Sequence, residues 1–76
     1  MTERVVTAPG WGRVGTLTPP GRVVEQGTVI GVLREQGALV PLVASTAGVL
    51  MGWLVLEGER VPPGRPLARI RILDRD

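Results

Sequence analysis

An internal repeat constrains the fold of this chain more than any other feature of its sequence. Two stretches share the pattern Ala-x3-Gly, then Gly-x2-Val-x2-Gly-x2-aliphatic-x2-aliphatic, with one additional residue in the second stretch. The matched residues are Ala8, Gly12, Gly21, Val24, Gly27, Ile30 and Leu33 in the first stretch, and Ala44, Gly48, Gly58, Val61, Gly64, Leu67 and Ile70 in the second. Such self-similarity predicts two similar strand–turn–strand units packed face to face, because neither unit could bury its apolar side alone.

Strand-forming and turn-forming residues alternate along both halves of the repeat, which cover about residues 5–36 and 40–72. Gly and Pro occur too often for a helix of ordinary length. Segments rich in Val, Ile and Leu predict strands at residues 4–8, 13–17, 29–33, 39–44, 49–56 and 66–73, with minor strands at 22–24 and 59–61. The predicted fold is all-β, a flattened barrel or sandwich of two small antiparallel sheets with a pseudo-twofold internal repeat.

Three segments predict the turns of this fold. Residues 18–21 and 61–64 each contain Pro-Pro-Gly, in which proline fixes φ and glycine accepts a positive φ. Residues 35–37, Glu-Gln-Gly, are typical of the tip of a tight hairpin, with glycine in the left-handed conformation.

Length and composition limit both the number of domains and the available chemistry. A chain of 76 residues has room for a single domain, residues 1–76, and its apolar content of 43% is enough for a folded core. The sequence contains no Cys and no His, which removes disulfides, thiolate metal sites and the commonest general base. We therefore expect neither an enzyme nor a metal site.

Charge and hydropathy argue against two classes of partner. The net charge is +2, and the arginines stand singly among glutamates rather than in a basic run. Nucleic-acid binding favours clustered cations with stacking aromatics, and the two tryptophans are the only aromatic residues. No stretch reaches the roughly 18 apolar residues that span a bilayer, and the polar start is followed by no secretory segment. We expect a cytoplasmic protein that binds neither nucleic acid nor membrane.

Three segments, taken in order, resemble the biotinyl/lipoyl attachment domain family. Residues 6–14, VTAPGWGRV, are similar to the opening Ala-Pro-x-x-Gly-x-Val of biotin carboxyl carrier domains. Residues 24–30 are similar to the family's Val-x-x-Gly-x-x-Leu, and residues 58–70 to its closing Gly-Asp-x-Val-x-x-Gly-x-x-Leu-x-x-Ile. The resemblance covers about residues 5–72 and implies the flattened barrel called a barrel-sandwich hybrid.

The resemblance fails at the residue that carries the family's cofactor. Members attach biotin or lipoate to a lysine seven residues before the alanine of the second Ala-x3-Gly, and in this chain that position is Gly37. All nine cationic residues are arginine, so no side-chain amine is available to form the amide. The carrier function is therefore excluded, and we expect no cofactor.

Four residues are candidates for contact with a partner. Trp11 lies in a loop between glycines, where a lone tryptophan is often an interface hot spot, although its ring would equally well cover one end of the core. Arg34, Glu35 and Gln36 lie at the hairpin tip, which enzymes dock against in the resembled family, although a solvated turn would also explain them. Trp53 lies inside a predicted strand and is expected to pack against the core.

Three further features are candidates for a cation site, a nucleophile and an apolar contact surface. Glu57 and Glu59 flank a glycine but lack the additional oxygen ligands that a hard cation requires. Ser45 has no histidine to activate it as a nucleophile. Residues 39–44 and 49–56, which we expect to be neighbouring strands, are apolar enough to leave an exposed patch. We expect a second copy of the chain or a partner to cover the outer face of 49–56.

Two functions remain open. The leading hypothesis is a non-catalytic biotinyl/lipoyl-like domain that acts by protein–protein contact, as an accessory to a carboxylase or acyltransferase complex. The alternative is a module that binds a small acid, held by arginines in the groove between the two sheets. An enzyme is the least favoured interpretation, because His, Cys and Lys are all absent.

Overall fold

Eight short β-strands make up the regular structure of the chain. The structure is a computed structural model and describes residues 2–73. Its strands are β1 (Glu3–Thr7), β2 (Gly12–Gly15), β3 (Val23–Val24), β4 (Val29–Glu35), β5 (Ala38–Val43), β6 (Gly48–Trp53), β7 (Arg60–Val61) and β8 (Pro66–Arg71). Each coincides with a predicted strand to within a few residues. The described residues contain no helix, and so none that is long and apolar enough to cross a membrane.

The strands form two four-stranded antiparallel sheets. Sheet 1 has the order β1-β8-β6-β3, and sheet 2 has the order β5-β4-β2-β7. Replacing each strand of sheet 1 by its counterpart in the repeat gives the order of sheet 2, because β1, β8, β6 and β3 correspond to β5, β4, β2 and β7. The prediction of an all-β fold with two antiparallel sheets and an internal repeat is confirmed.

The core between the sheets is built from the apolar residues of the repeat. Its buried side chains include the counterpart pairs Val6 and Leu42, Ala8 and Ala44, Val14 and Leu50, Val24 and Val61, Ile30 and Leu67, and Leu33 and Ile70. No polar or charged side chain of residues 2–73 is buried. The fold therefore depends on apolar packing between the two halves rather than on a buried polar network.

Backbone hydrogen bonds also cross between the halves, and they occur in symmetric pairs. They run from Gly64 N to Ala8 O, from Gly27 N to Ala44 O, from Gly58 N to Val14 O and from Gly21 N to Leu50 O, at 2.8, 2.9, 2.7 and 2.8 Å. Neither half could satisfy these groups by itself. The two halves consequently form one interlocked unit.

Two details of the predicted strands are wrong. The segment 49–56 was expected to be one strand, but β6 ends at Trp53, after a register shift between Leu50 and Gly52 in its pairing with β8. The exposed side chains Leu54 and Leu56 follow the strand rather than lie on it. Strands β5 and β6 are also not neighbours, since β5 is the edge of sheet 2 and β6 lies inside sheet 1.

Trp53 packs against the core, as predicted. Its indole Nε1–H donates to the carbonyl of Thr18 at 2.8 Å. A carbon of its ring lies 3.3 Å from the position that a Cβ on Gly31 would occupy. The ring thus connects the end of β6 to the loop that follows β2 and packs closely on β4.

Replacing Trp53 by phenylalanine is expected to lower the free energy of unfolding by about 1–2 kcal/mol, because the Thr18 carbonyl loses its donor and the smaller ring leaves space. Equilibrium unfolding in urea measures the change. The control is Leu56→Ala, since Leu56 is 78% exposed and truncation there changes stability by less than about 0.5 kcal/mol. Equal losses in the two variants would contradict the role assigned to the indole.

Candidate functional site

The hairpin between β4 and β5 turns in two residues. Glu35 and Ala38 form the last strand pair, and Gln36 and Gly37 form the turn, with φ of +47° and +83°. Positive φ at both central residues defines a type I′ turn, which suits the twist of a two-residue hairpin. A Cβ at Gly37 would meet no atom within 4 Å. The position that the resemblance assigns to the attachment lysine is therefore exposed and has open space for a side chain.

The loop that carries Trp11 lies beside this hairpin. Strand β2 pairs with β4 in antiparallel register, with Arg13 opposite Arg34, so the residues before Arg13 lie next to the residues after Arg34. A cavity of about 370 Å³ forms there, lined by Pro9, Gly10, Trp11, Leu33, Glu35 and Val40. The structure thus brings two of the four predicted contact residues, Trp11 and Glu35, into one cavity.

Arg34 and Gln36 lie outside that cavity. Successive side chains of a strand point to opposite faces, and Leu33 is buried in the core, so Arg34 points outward. It lines a second cavity, of about 310 Å³, together with Gly37, Ala38 and Leu39. Gln36 is exposed in the turn and lines neither cavity. The four candidates therefore surround the hairpin tip without forming a single pocket.

Trp11 does not cover the end of the core. Its side chain is 52% exposed, and the guanidinium carbon of Arg60 lies 5.1 Å from the centroid of its ring, within cation–π range. The partly buried residues that pack against the core are Leu17 and Trp53. The ring of Trp11 is accessible to a partner, and its contact with one stays a prediction.

Three arginines form a row that the sequence does not reveal. Arg60 on β7 lies opposite Arg13 on β2, and Arg13 lies opposite Arg34 on β4. Each is adjacent in sequence to a buried core residue, so all three point away from the core. We call these three residues the arginine row. They stand singly in the sequence, and only the pairing of distant strands brings them together.

Glu59, one of the two glutamates of the turn before β7, has structural partners. Glu59 accepts a hydrogen bond from the Leu56 N–H at 3.0 Å through Oε1, and its Oε2 lies 3.3 Å from Nη1 of Arg65. Glu57 is exposed. Within residues 2–73, no group of three or more His, Cys, Asp or Glu side chains could hold a metal ion. Glu59 therefore stabilises the turn.

Within residues 2–73, one cavity lies between the edges of the two sheets, and no arginine lines it. This cavity, near β1 and β5, has a volume of about 140 Å³ and is lined by Val6, Thr7, Pro9, Pro41, Leu42 and Val43. The arginine row lies instead on the outer face of sheet 2. This cavity does not support the alternative hypothesis that arginines hold a small acid in the groove, and that hypothesis stays a prediction.

Strand β5 leaves apolar side chains exposed at the edge of sheet 2. Leu39 is 60% exposed, and Val43 and its partner Val29 on β4 are 42% and 54% exposed. Pro41 interrupts the amide donors in the middle of this edge, which limits pairing with a further strand. The edge therefore offers an apolar side-chain surface more than a template for sheet extension.

Similarity to known proteins is found among solved structures. No protein-family model matches the sequence, and no curated protein is similar to it. Part of a single-chain, multi-domain long-chain acyl-CoA carboxylase matches 96% of this chain, with a TM-score of 0.85 and 27% sequence identity. Part of the urea carboxylase of Kluyveromyces lactis matches 93% of it, with a TM-score of 0.84 and 19% identity.

The match covers a small part of each carboxylase. This chain spans 7% of the acyl-CoA carboxylase chain and 6% of the urea carboxylase chain. Its fold therefore occurs as a small part of much longer carboxylase chains. This likeness supports the resemblance to a biotin carboxyl carrier domain.

Proposed function

We propose that this chain is a cytoplasmic, non-catalytic biotinyl/lipoyl-like domain that carries neither biotin nor lipoate and acts by contact with a protein partner. The partner is a subunit of a carboxylase or acyltransferase complex, to which the chain is an accessory. The hairpin tip carries the proposal. Its type I′ turn is intact, and glycine occupies the position that the resemblance assigns to the attachment lysine.

The absence of lysine leaves the hairpin without a group that can be acylated. Arg34, the nearest cation in sequence, has a guanidinium that stays protonated and does not replace an amine. None of the 76 residues is a lysine. A domain that keeps this fold without the carrier residue can still bind another protein through its surface. Protein–protein contact is therefore the function that we assign to it.

The two ends of the domain differ around this hairpin. The repeat places Ala47 at the counterpart of Trp11, and Val49 at the counterpart of Arg13. Core positions are apolar in both halves because packing requires it, whereas Trp11 and Arg13 are exposed and their counterparts Ala47 and Val49 are half-buried. Folding alone does not explain a large aromatic and additional arginines at one end, so this end is the favoured contact surface.

Affinity purification from a lysate of the source cell tests the proposal. The native chain is expected to recover a biotin- or lipoate-dependent enzyme subunit in stoichiometric amount. Trp11→Ala is expected to reduce recovery about tenfold or more, because loss of an interface tryptophan often costs about 2 kcal/mol. Arg34→Ala/Glu35→Ala is expected to reduce it as well, and mass spectrometry quantifies the recovered subunit.

Arg22→Ala is the matched control, since Arg22 is exposed and precedes β3 of sheet 1, away from the hairpin. It is expected to recover as much partner as the native chain. If the native chain recovers only itself, the accessory function is wrong and self-association becomes the favoured interpretation. If all variants recover the enzyme subunit equally, the contact surface is wrongly assigned.

A further inference from the structure

The arginine row occupies three neighbouring strands of sheet 2, with its members in direct cross-strand register. The pairs are Arg60 with Arg13 and Arg13 with Arg34, on β7, β2 and β4. Neighbouring strands lie about 4.8 Å apart, so the backbone positions of the row span about 10 Å. All three residues are exposed. The row is therefore a compact cationic line across an accessible sheet face.

No carboxylate of residues 2–73 forms a salt bridge with a member of the row. The salt bridges within residues 2–73 join Arg65 to Glu59 and Arg69 to Glu3, and neither includes a member of the row. Like charges placed directly opposite each other on a sheet are destabilising. Repulsion within the row therefore opposes the stability of the isolated domain, although Arg13 donates to a backbone carbonyl and Arg60 lies over the Trp11 ring.

The guanidinium groups of the row lie near uncharged groups of the chain, and that of Arg60 lies over an indole ring. Arg13 Nη1 donates to the carbonyl of Gly58 at 3.1 Å. Nε of Arg34 lies 3.9 Å from the position that a Cβ on Gly15 would take, so the Arg34 side chain extends over β2 where glycine leaves space. A guanidinium has five N–H donors, and one carbonyl uses a small part of them. Donor capacity therefore remains available on the outer face.

The equivalent positions of sheet 1 have the same strand geometry but do not hold three arginines. They hold Val23, Val49 and Arg71, and Arg71 lies opposite Glu3. Two apolar side chains and one arginine opposite a carboxylate thus satisfy the same strand geometry. The charge of the arginine row is a property of sheet 2 and not of the repeat.

We infer that the arginine row docks an acidic helix of a protein partner, whose carboxylates form charge-assisted hydrogen bonds with Arg13, Arg34 and Arg60. The inference rests on the proposed function in assuming a protein partner, and it names that partner's chemistry. One helical turn rises about 5.4 Å, close to the strand spacing of about 4.8 Å, whereas alternate residues of an extended chain lie about 6.7 Å apart. An Asp or Glu once per helical turn therefore matches the row.

The apolar surface beside the row favours a protein over a nucleic acid. Leu39 lies opposite Arg34 and continues the row onto β5, and Val29 and Val43 are exposed further along the strands. An amphipathic helix covers apolar side chains with its own apolar face while its acidic side chains meet the arginines. A single-stranded nucleic acid would instead favour several aromatic side chains for stacking, and Trp11 is the only exposed one among the described residues.

Fluorescence anisotropy with a defined peptide tests the inference. The probe is a labelled amphipathic peptide of about 20 residues, long enough to form a helix, with glutamate once per turn beside a leucine stripe. The control peptide, the twin of this probe, has the same sequence with glutamine in place of every glutamate. We expect saturable binding of the acidic peptide to the native chain that weakens as salt is added, and binding of the twin that is at least about tenfold weaker.

Two triple variants with the same change in net charge distinguish binding by the arginine row from attraction by the net charge of the chain. Arg13→Gln/Arg34→Gln/Arg60→Gln is expected to weaken binding of the acidic peptide about tenfold or more. The control, with Arg4, Arg22 and Arg69 each replaced by Gln, is expected to bind nearly as the native chain does. Urea unfolding checks the fold, and the row variant is expected to keep a midpoint close to the native one. Removal of like charges offsets the loss of the Arg13 hydrogen bond and of the Arg60–Trp11 contact.

Several results would overturn the inference. These are no binding of the acidic peptide by the native chain, equal binding of both peptides, equal losses in both triple variants, and tighter binding of a single-stranded oligonucleotide than of the peptide through the same row. The proposed function is tested separately by the lysate experiment. An enzyme subunit recovered equally by the native chain and the row variant would leave the proposed function standing while the inference fails.

Discussion

Gly48→Ala is expected to remove a large part of the free energy of unfolding of this chain. A Cβ at Gly48 would overlap the carbonyl oxygen of Arg71 and would lie 3.0 Å from a methyl carbon of Ile70. Arg71 belongs to β8, which is paired on both sides, with β1 and with β6, so its backbone cannot move away without loss of pairing. We expect a loss of about 3 kcal/mol or more, from a total on the order of 4–11 kcal/mol for this length.

Thermal and urea unfolding measure this loss, and the melting temperature is expected to fall by about 12–24 °C. Gly52→Ala is the matched control in the same strand, because no atom lies within 4 Å of its Cβ position. Alanine there is expected to be neutral or to stabilise by about 0.5–1 kcal/mol. A similar loss in both variants would show that alanine itself, and not the close approach of β8, is responsible.

The repeat predicted the architecture because its residues are the ones that packing requires. Val14 and Leu50 are counterparts and both are buried, and Gly12 and Gly48 both mark places where a strand approaches too closely for a Cβ. What could not be predicted is the end of β6. The register shift between Leu50 and Gly52 depends on how β8 pairs with β6, and that pairing is not encoded within the strand itself.

The candidate site was predictable where it depends on local chemistry. Gln36 and Gly37 form the turn that their residue types indicate, because glycine favours the second left-handed position of a two-residue hairpin. The arginine row was not predictable in this way. Arg13, Arg34 and Arg60 are separated in sequence by whole strands and become neighbours only through the pairing of β7, β2 and β4. The sequence-based interpretation of singly spaced arginines therefore missed their clustering.

Introducing lysine at position 37 is expected to create a biotin acceptor where the native chain has none. The variant is Gln36→Met/Gly37→Lys/Ala38→Met, which supplies the amine and the flanking methionines of the biotin branch of the resembled family. The turn is already formed, and a Cβ at position 37 meets no atom within 4 Å. Lysine at the φ of +83° found there costs about 1–2 kcal/mol, which a domain of this length tolerates.

Intact mass after incubation with biotin protein ligase, ATP and biotin measures the result. We expect the lysine variant to gain one biotinyl group and the native chain to gain none, because an amide cannot form on a chain without a side-chain amine. The control has arginine instead of lysine at position 37 and the same two methionines. It has nearly the same size, charge and backbone cost, and it should remain unmodified.

The two possible results show whether the hairpin residues alone, or also the surrounding surface, account for the missing carrier function. Modification of the lysine variant would mean that the hairpin still has the shape that the ligase recognises, so the missing carrier function follows from residue 37 and its two neighbours alone. A folded lysine variant that stays unmodified would contradict the carrier-like character of the hairpin. It would also mean that the surface around the tip, which includes the exposed residues Trp11 and Arg34, prevents recognition by the ligase.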